Sequence, residues 1–540
     1  MEAKVHMVLL FLFTFLFLLS STHSSLIPQG FINCLSHEFS SDKSIINVLY
    51  EPNNSSFEPL LESTIQNLRF LPRSSTLKPL AIITPLVYSH VQATVICCKR
   101  TGLQIRIRSG GHDYEGVSYR SRLPFVILDL RNLSSLNVNI EDNSAWVESG
   151  ATLGDLFYGI AEKSQVHAFP AGLCPTVGVG GHLSGGGTGN LVRKYGLASD
   201  NIIDALIVDA KGQILDRETM GKDLFWAIRG GGAASFGVVL AWKINLVHVP
   251  PIVTVFKLFK TLEQGAINLI HKWQFIGHQI HEDVFIDAQI FRHTTGGNGT
   301  LQVQFSSLFL GGAQELLKIM DEIFPELGLG KEDCSEMSWI ESFEYFADFP
   351  NRKNNTNILI NDKKIMPSEE TPKTYFKTKS DFILKPLSLS VLHKLWNMCL
   401  EEKDLSVLMQ PYGGKMEKIS ESETPFPFRQ GVIYDIQYEV DWYSENESSE
   451  NNMNWVRKLY DYMTPYASKE PRGAYLNARD LDMGMNDSPL TTYSEAENWG
   501  LKYFKNNFER LARIKGVVDP ENFFFFEQSI PPLTTLASTM

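Results

Sequence analysis

The chain has 540 residues, 43% hydrophobic and 20% charged, a globular composition with room for two to four units sharing large cores. Lys and Arg total 49 against 61 Asp and Glu, a formal charge of −12. A nucleic-acid-coating role needs clustered positive charge, and this balance argues against it.

Lys4, an apolar run from Met7 to Leu19 and a small polar tail through Ser25 predict a secretory leader over 1–25. The run is too short to span a bilayer, and no later stretch is longer. The expected product is a soluble, monomeric protein bound for the cell exterior, the wall or the vacuole, with no membrane and no nucleic-acid partner. Asn-x-Ser/Thr sequons at Asn53, Asn54, Asn132, Asn298, Asn354, Asn446 and Asn486 suit glycosylation in that pathway. The six cysteines have no metal-type spacing, and no metal is expected. An oxidising compartment allows a disulfide from Cys34 to Cys97 or Cys98.

Further along, Leu103, Ile105 and Ile107 alternate with polar residues, which reads as a strand. Pro124 to Leu130 is a second, more buried strand. Thr152 and Asp155 read as a capping box, and Leu153, Leu156, Phe157 and Ile160 continue at helical spacing. Ala205–Asp209 and Gln213–Asp216 flank a Lys211-Gly212 turn as a hairpin. Val238 to Leu246 alternates as another strand, and two prolines at 250–251 mark a boundary. Mixed strands and amphipathic segments follow to about 475, and Tyr493 to Ile514 reads as helical. The class is α+β rather than a regular βαβ series.

Glycine concentrates in three loops: 109–112, 178–189 and 229–237. Glycine lets backbone N–H groups approach an anion closely, so three such loops suit a long cofactor carrying a pyrophosphate. None fits GxGxxG or GxxxxGK[ST], and there is no HExxH or GxSxG. A Rossmann dinucleotide site, ATP hydrolysis, zinc hydrolysis and a serine-hydrolase elbow are therefore unsupported.

Four of these stretches carry a resemblance. Arg108-Ser109-Gly110-Gly111-His112-Asp113-Tyr114-Glu115-Gly116 resembles the histidine loop of plant berberine bridge enzyme-like flavoproteins. Cys174-Pro175-Thr176-Val177-Gly178-Val179-Gly180-Gly181-His182 resembles their cysteine loop. Asp223 to Gly232 and Asp519 to Pro532 match two further signatures. The overall look is similar to the cannabinoid synthases and to redox-neutral Diels-Alderase-type relatives.

The resemblance implies a vanillyl-alcohol-oxidase/PCMH-type FAD-binding fold with an inserted α+β substrate domain, an antiparallel sheet plus helices. The implied division is 26–74 and 75–249 for the FAD domain, 250–476 for the substrate domain and 477–540 for a segment returning to the FAD domain. It implies FAD held covalently by His112 and Cys174. Arg108, Ser109, Gly110, Gly111, Gly178, Gly180, Gly181, His182, Ser184, Gly185, Gly186, Gly187 and Asn477 are the implied cofactor contacts. Val177 stands where valine goes with oxidase behaviour, implying O2 as acceptor.

The sequence departs from the family at the base. The tyrosine that follows asparagine in the late motif is Ala478 here, in Tyr475-Leu476-Asn477-Ala478-Arg479-Asp480. A substrate-strand glutamate aligns with Asp435, a tyrosine with Gln410 and a histidine with Gln289. Losing a placed base costs about 10²–10⁴ in rate, so Asp435 is the expected substitute. Tyr114, Tyr434 and Tyr438 are neighbouring candidates, and Arg292 is a candidate donor to a substrate carbonyl. The implied activity is two-electron oxidation of a phenolic or terpenoid metabolite, probed first as a prenylated phenol. The alternatives are a redox-neutral [4+2] cyclase, which needs no base, and a catalytically silent flavin-binding protein.

Overall fold

In a computed structural model, which describes residues 27–38, 43–71, 77–293, 300–347, 373–402, 404–444 and 449–533, the alternating segment after Gly102 forms the strand Gln104–Arg108. The leader at 1–25 and the sequons at Asn298, Asn354 and Asn446 lie outside the described residues. The polar face of this strand is not solvated. Arg106 and Arg108 are buried because distant segments supply acids: Glu527 sits 3.2 Å from Arg106 Nη2, and Asp129 sits 2.6 Å from Arg108 Nη2. Without those partners, burying each guanidinium would be strongly unfavourable.

The strand pairs in parallel with Phe125–Asp129, and Ile82–Ile83 and Leu49–Tyr50 complete a four-stranded sheet. Helix Gln29–Glu38 packs on helix Tyr88–Thr101, where Cys34 is bonded to Cys97. Cys98 is a buried free thiol, which resolves the two pairings left open.

A second, antiparallel sheet runs in the order Leu136–Asn139, Ser144–Glu148, Val238–Asn245, Ile202–Val208, Ile214–Leu215. The expected hairpin is its edge. Helix Leu153–Lys163 starts at the reciprocal Thr152–Asp155 capping box.

The third sheet has seven antiparallel strands, in the order Ser335–Met337, Val253–Thr261, Thr300–Phe309, Val284–His293, Leu405–Pro411, Tyr434–Trp442, Tyr375–Ile383. Side chains alternate across a strand. Tyr434, Ile436, Tyr438 and Val440 therefore enter one apolar core, with helices Ala266–Ile276, Leu389–Cys399 and Ser449–Met463. The opposite face, with Asp435, Gln437 and Glu439, looks toward the glycine loops.

The helix expected over Tyr493–Ile514 is two helices, Tyr493–Phe504 and Asn507–Val518, broken at Lys505, whose φ is 44°. Their apolar faces join the core of the second sheet through Trp499, Tyr503, Phe508 and Leu511. Lys377, at the far edge of the seven-stranded sheet, pairs with Glu115 and, at 2.6 Å, with Asp480. Lys379 pairs with Asp480 at 2.6 Å and Asp482 at 3.0 Å. This buried knot ties the histidine loop, the sheet and the C-terminal segment together. Asn486 is buried, and its amide donates to Ser529 O at 2.7 Å, so that sequon is not on the surface. Among the described residues no helix is long and apolar enough to cross a membrane.

Candidate active site

The histidine and cysteine loops meet backbone to backbone. A Cβ at Gly110 would stand 2.3 Å from Gly178 N, and one at Gly178 would stand 2.1 Å from Ser109 Oγ, so only glycine permits this approach. Ser109 Oγ then donates to Ser149 O at 2.5 Å. The contact sets His112 and Cys174 side by side. Thr176 Oγ1 lies 2.9 Å from His112 Nε2 and 3.7 Å from the Cys174 thiol. Desolvation pulls His112 down to about 4, against the opposing Thr176 contact, so its imidazole is neutral at pH 7. Cys174 is an exposed free thiol on the cavity wall.

The cavity has a volume of about 630 Å³. Its floor is the glycine loops, including Ser109, Gly110, Gly111, Gly178, Gly180, Gly181, Ser184 and Gly185. A Cβ at Gly185 would stand 1.9 Å from Asn477 Oδ1, so this glycine lets the C-terminal segment close over the floor. Asn477 Nδ2 donates to His182 O and to the Tyr475 hydroxyl, each at 3.0 Å. His182 Nε2 accepts from Gly172 N at 2.9 Å, which braces the cysteine loop from beneath.

The roof is the polar face of the seven-stranded sheet. In one row, Lys257 is opposite Ser306 and Ser306 is opposite Asp287. The pairing of Ala288 with Met409 puts Gln410 next, and Gln410 is opposite Asp435. The adjacent row is Gln304, Gln289, Leu408 and Gln437. Asp435 is 1% exposed and does not itself line the cavity; Gln410 opposite it, Gln437 beside it and Tyr475 do. Burial pushes its carboxyl up to about 7, opposed by the Gln437 amide at 3.4 Å, and its Oδ1 has no partner. Desolvation also raises Asp287 to about 7, against hydrogen bonds from Ser306 and the charge of Lys257.

Tyr475 is the residue that sequence reasoning passed over. Its hydroxyl accepts from Gly187 N at 3.0 Å, Thr188 N at 3.2 Å and Asn477 Nδ2 at 3.0 Å. Burial lifts the phenol to about 12, against those three donors. Two glycines, Gly186 and Gly187, do not line the cavity themselves; Gly187 acts through this bond.

Four expected candidates are placed elsewhere. Arg108 is spent on Asp129 and on Leu60 O and Leu61 O. Arg292 donates to Glu402 O and Leu400 O, at the end of helix Leu389–Cys399, where C-terminal carbonyls attract a cation. Tyr438 points into the apolar core, donating to Asp381 at 3.1 Å, and Tyr434 donates to Gln274 there. Gln289, Gln410 and Tyr114 do line the cavity, as do Lys257, Asp287, Gln304 and Gln437, which the sequence reading did not name. Ala478 is on the wall and brings no proton-transfer group.

A polar sheet is thus laid over a glycine-floored cavity with a neutral imidazole and a thiol in its wall, and the comparisons make it the site of a flavoprotein oxidoreductase. Residues 79–217 match the family described as "FAD binding domain", and residues 474–531 match "Berberine and berberine like". The chain is 57% identical to O-acetylstemmadenine oxidase of Catharanthus roseus, covering 97% of this chain and 98% of that one. It is 54% identical to tetrahydroberberine oxidase of Berberis wilsoniae, covering 94% of each. The structure of the grass pollen allergen Phl p 4 superposes with a TM-score of 0.86 at 41% identity, over 94% of this chain and 100% of that one. Wild-type Phl p 4 is described as a glucose dehydrogenase, and an isoleucine-to-valine variant as a glucose oxidase. The chain belongs to the berberine bridge enzyme-like family of FAD-linked oxidoreductases.

The residues present fit FAD. Three buried hydroxyls on the cavity wall, Ser118, Ser149 and Thr188, have no partner among the described residues, which leaves them for a polar ligand.

Proposed function

We propose that the protein is an oxidase carrying FAD on two covalent links, to His112 and Cys174, and using O2 to remove two electrons from a small molecule. FAD supplies the electron acceptor. The observation that carries this reading is the Thr176 hydroxyl touching both the imidazole and the thiol, which places two attachment groups on one wall. Thr176 occupies Nε2 of His112 and leaves Nδ1 for attachment. The low affinity of this imidazole for protons keeps it nucleophilic.

O2 as acceptor is supported by Val177. Its carbonyl accepts from Leu153 N at 2.9 Å, which fixes the side chain at the cavity wall. The two positions varied in Phl p 4 are five residues apart, the spacing of Val177 and His182 here. With Ala478 inert, Asp435 is the group that takes a proton. A carboxyl raised to about 7 is half ionised at neutral pH, the range in which a general base works well.

The test is to denature the purified yellow protein and follow the flavin. It should stay on the polypeptide, on peptides containing His112 and Cys174. Anaerobic substrate should bleach it and air should restore the colour with release of peroxide. Flavin freed by denaturation refutes the double attachment. A product of summed substrate mass without bleaching refutes the oxidase.

A further inference from the structure

The Thr176 hydroxyl has one hydrogen and faces two attachment groups. Its Oγ1 lies 2.9 Å from His112 Nε2 and 3.7 Å from the Cys174 thiol, and it donates to only one of them at a time. Its place is fixed by its neighbours in the chain. Gly154 N donates to Pro175 O and Leu153 N donates to Val177 O, each at 2.9 Å, so the start of helix Leu153–Lys163 grips the backbone on both sides of Thr176. His112 and Cys174 line the cavity, whereas Thr176 stands behind them and is not part of the lining.

A neutral imidazole carries its hydrogen on one nitrogen and a lone pair on the other. Thr176 presents acceptors to the ring, from its hydroxyl and its backbone, which assigns the hydrogen to Nε2 and the lone pair to Nδ1. A bond from Nδ1 to carbon would turn this ring into a cation. The site opposes a cation there. Desolvation is the larger cause, and the Lys373 ammonium, which donates to Glu62 O and Ser63 O, adds repulsion. The Nε2 proton therefore has to leave as the bond forms, and Thr176 is the contact through which it leaves.

We propose that Cys174, as a thiolate, is the base for this step and that the Thr176 hydroxyl is the relay. Thr176 Oγ1 accepts the Nε2 proton while its own hydrogen passes to the Cys174 sulfur. The cysteine thus serves the His112 link before it makes its own. The relay rests on the double attachment of the oxidase reading and adds the order in which the two links form. The step balances. His112 forms one N–C bond to a ring methyl of the flavin, while one C–H bond and the Nε2–H bond break. Two protons and two electrons are released; the electrons reduce the flavin, and O2 takes them up with two protons as hydrogen peroxide. Cys174, now an exposed thiol, gives its proton to solvent and regains the thiolate that the second link needs. The nearby Tyr114 phenol is no rival acceptor, because burial pushes its pKa up and keeps it protonated.

The test follows attachment rather than turnover. The full-length protein is made in flavin-starved cells, flavin is supplied, and the flavin-bearing share of the His112 peptide and of the Cys174 peptide is read by mass at timed intervals. Thr176→Val keeps the shape and loses the hydroxyl. It should slow labelling of His112 at least about tenfold, and Thr176→Ser should restore the rate. Cys174→Ala should slow labelling of His112 to a similar degree, although it removes no atom of that residue. The double variant of Thr176→Val with Cys174→Ala should be no slower than either single one, because both break the same path. His112 labelled at the wild-type rate in Thr176→Val or in Cys174→Ala overturns the relay. So does a Thr176→Ser variant as slow as Thr176→Val, or a double variant in which the two losses multiply. If Thr176→Val holds no flavin at all, the rate in Cys174→Ala decides alone. Each of these results leaves the doubly attached flavin of the wild type standing, whereas a wild type with flavin on neither peptide sinks that reading and the relay with it.

Discussion

Replacing Asp435 with asparagine removes one ionisable group and leaves the shape of the side chain nearly unchanged. The carboxyl is 1% exposed, and burial raises it to about 7, against the Gln437 amide and its own backbone N–H. In the unfolded chain the same group titrates near its ordinary value of about 4. Between those values the native protein holds a proton that the unfolded chain has lost. Stability contributed by this group is therefore complete below about pH 4 and is lost as pH rises toward 7. About three units at 1.36 kcal/mol each give a loss of about 4 kcal/mol across that window. Asp435→Asn has no such loss. Its melting temperature should rise relative to the wild type from pH 4 to pH 7 and hold a constant offset above, read by scanning calorimetry at half-unit steps. A difference independent of pH would refute the account of a buried acid. A difference of the opposite sign would mean that a cation faces Asp435. The same variant should lower kcat by about 10²–10⁴ and erase the limb of the pH–rate profile near 7.

Tyr475→Phe takes their shared acceptor from three N–H donors, of Gly187, Thr188 and one hydrogen of the Asn477 amide. At about 1 kcal/mol or more for each orphan, the variant should lose roughly 3 kcal/mol in chemical denaturation; a loss under 0.5 kcal/mol would mean that water replaces the hydroxyl. Gly178→Ala should force the two loops apart, because its Cβ meets Ser109 Oγ at 2.1 Å. Flavin fluorescence on a denaturing gel should fall severalfold, and full labelling would show that the loops need no such contact. Opening the Cys34–Cys97 bridge, which closes a separation of 63 residues, should cost about 4 kcal/mol. An unchanged melting temperature after reduction would place the first helix outside the cooperative unit.

Local chemistry was legible where neighbours in sequence are partners in space. The Thr152–Asp155 capping box, the 205–216 hairpin and the glycine loops each follow from residues within a few positions of one another. Alternation puts Tyr434 and Tyr438 on the opposite face of the strand from Asp435, although the sequence reading offered all three as candidates. What could not be read was what long-range register decides. Asp287 becomes a neighbour of Gln410 only because two strands more than a hundred residues apart pair as they do. Arg108 reads as a cofactor contact in its loop, but Asp129 from the adjacent parallel strand claims it. Arg292, three positions from Gln289, falls on the opposite face of its strand, where the end of helix Leu389–Cys399 takes it. Tyr475 gave one available signal, its place two residues before Asn477, and its significance depends on backbone donors supplied by a loop nearly three hundred positions earlier.

The wall that holds Asn477, Arg479, Phe524 and Phe526 against the glycine floor belongs to the final stretch of the chain. During synthesis that stretch is the last to leave the ribosome, after all three glycine loops have emerged. A polypeptide that stops early therefore has the glycine floor and the polar roof but lacks this side of the cavity.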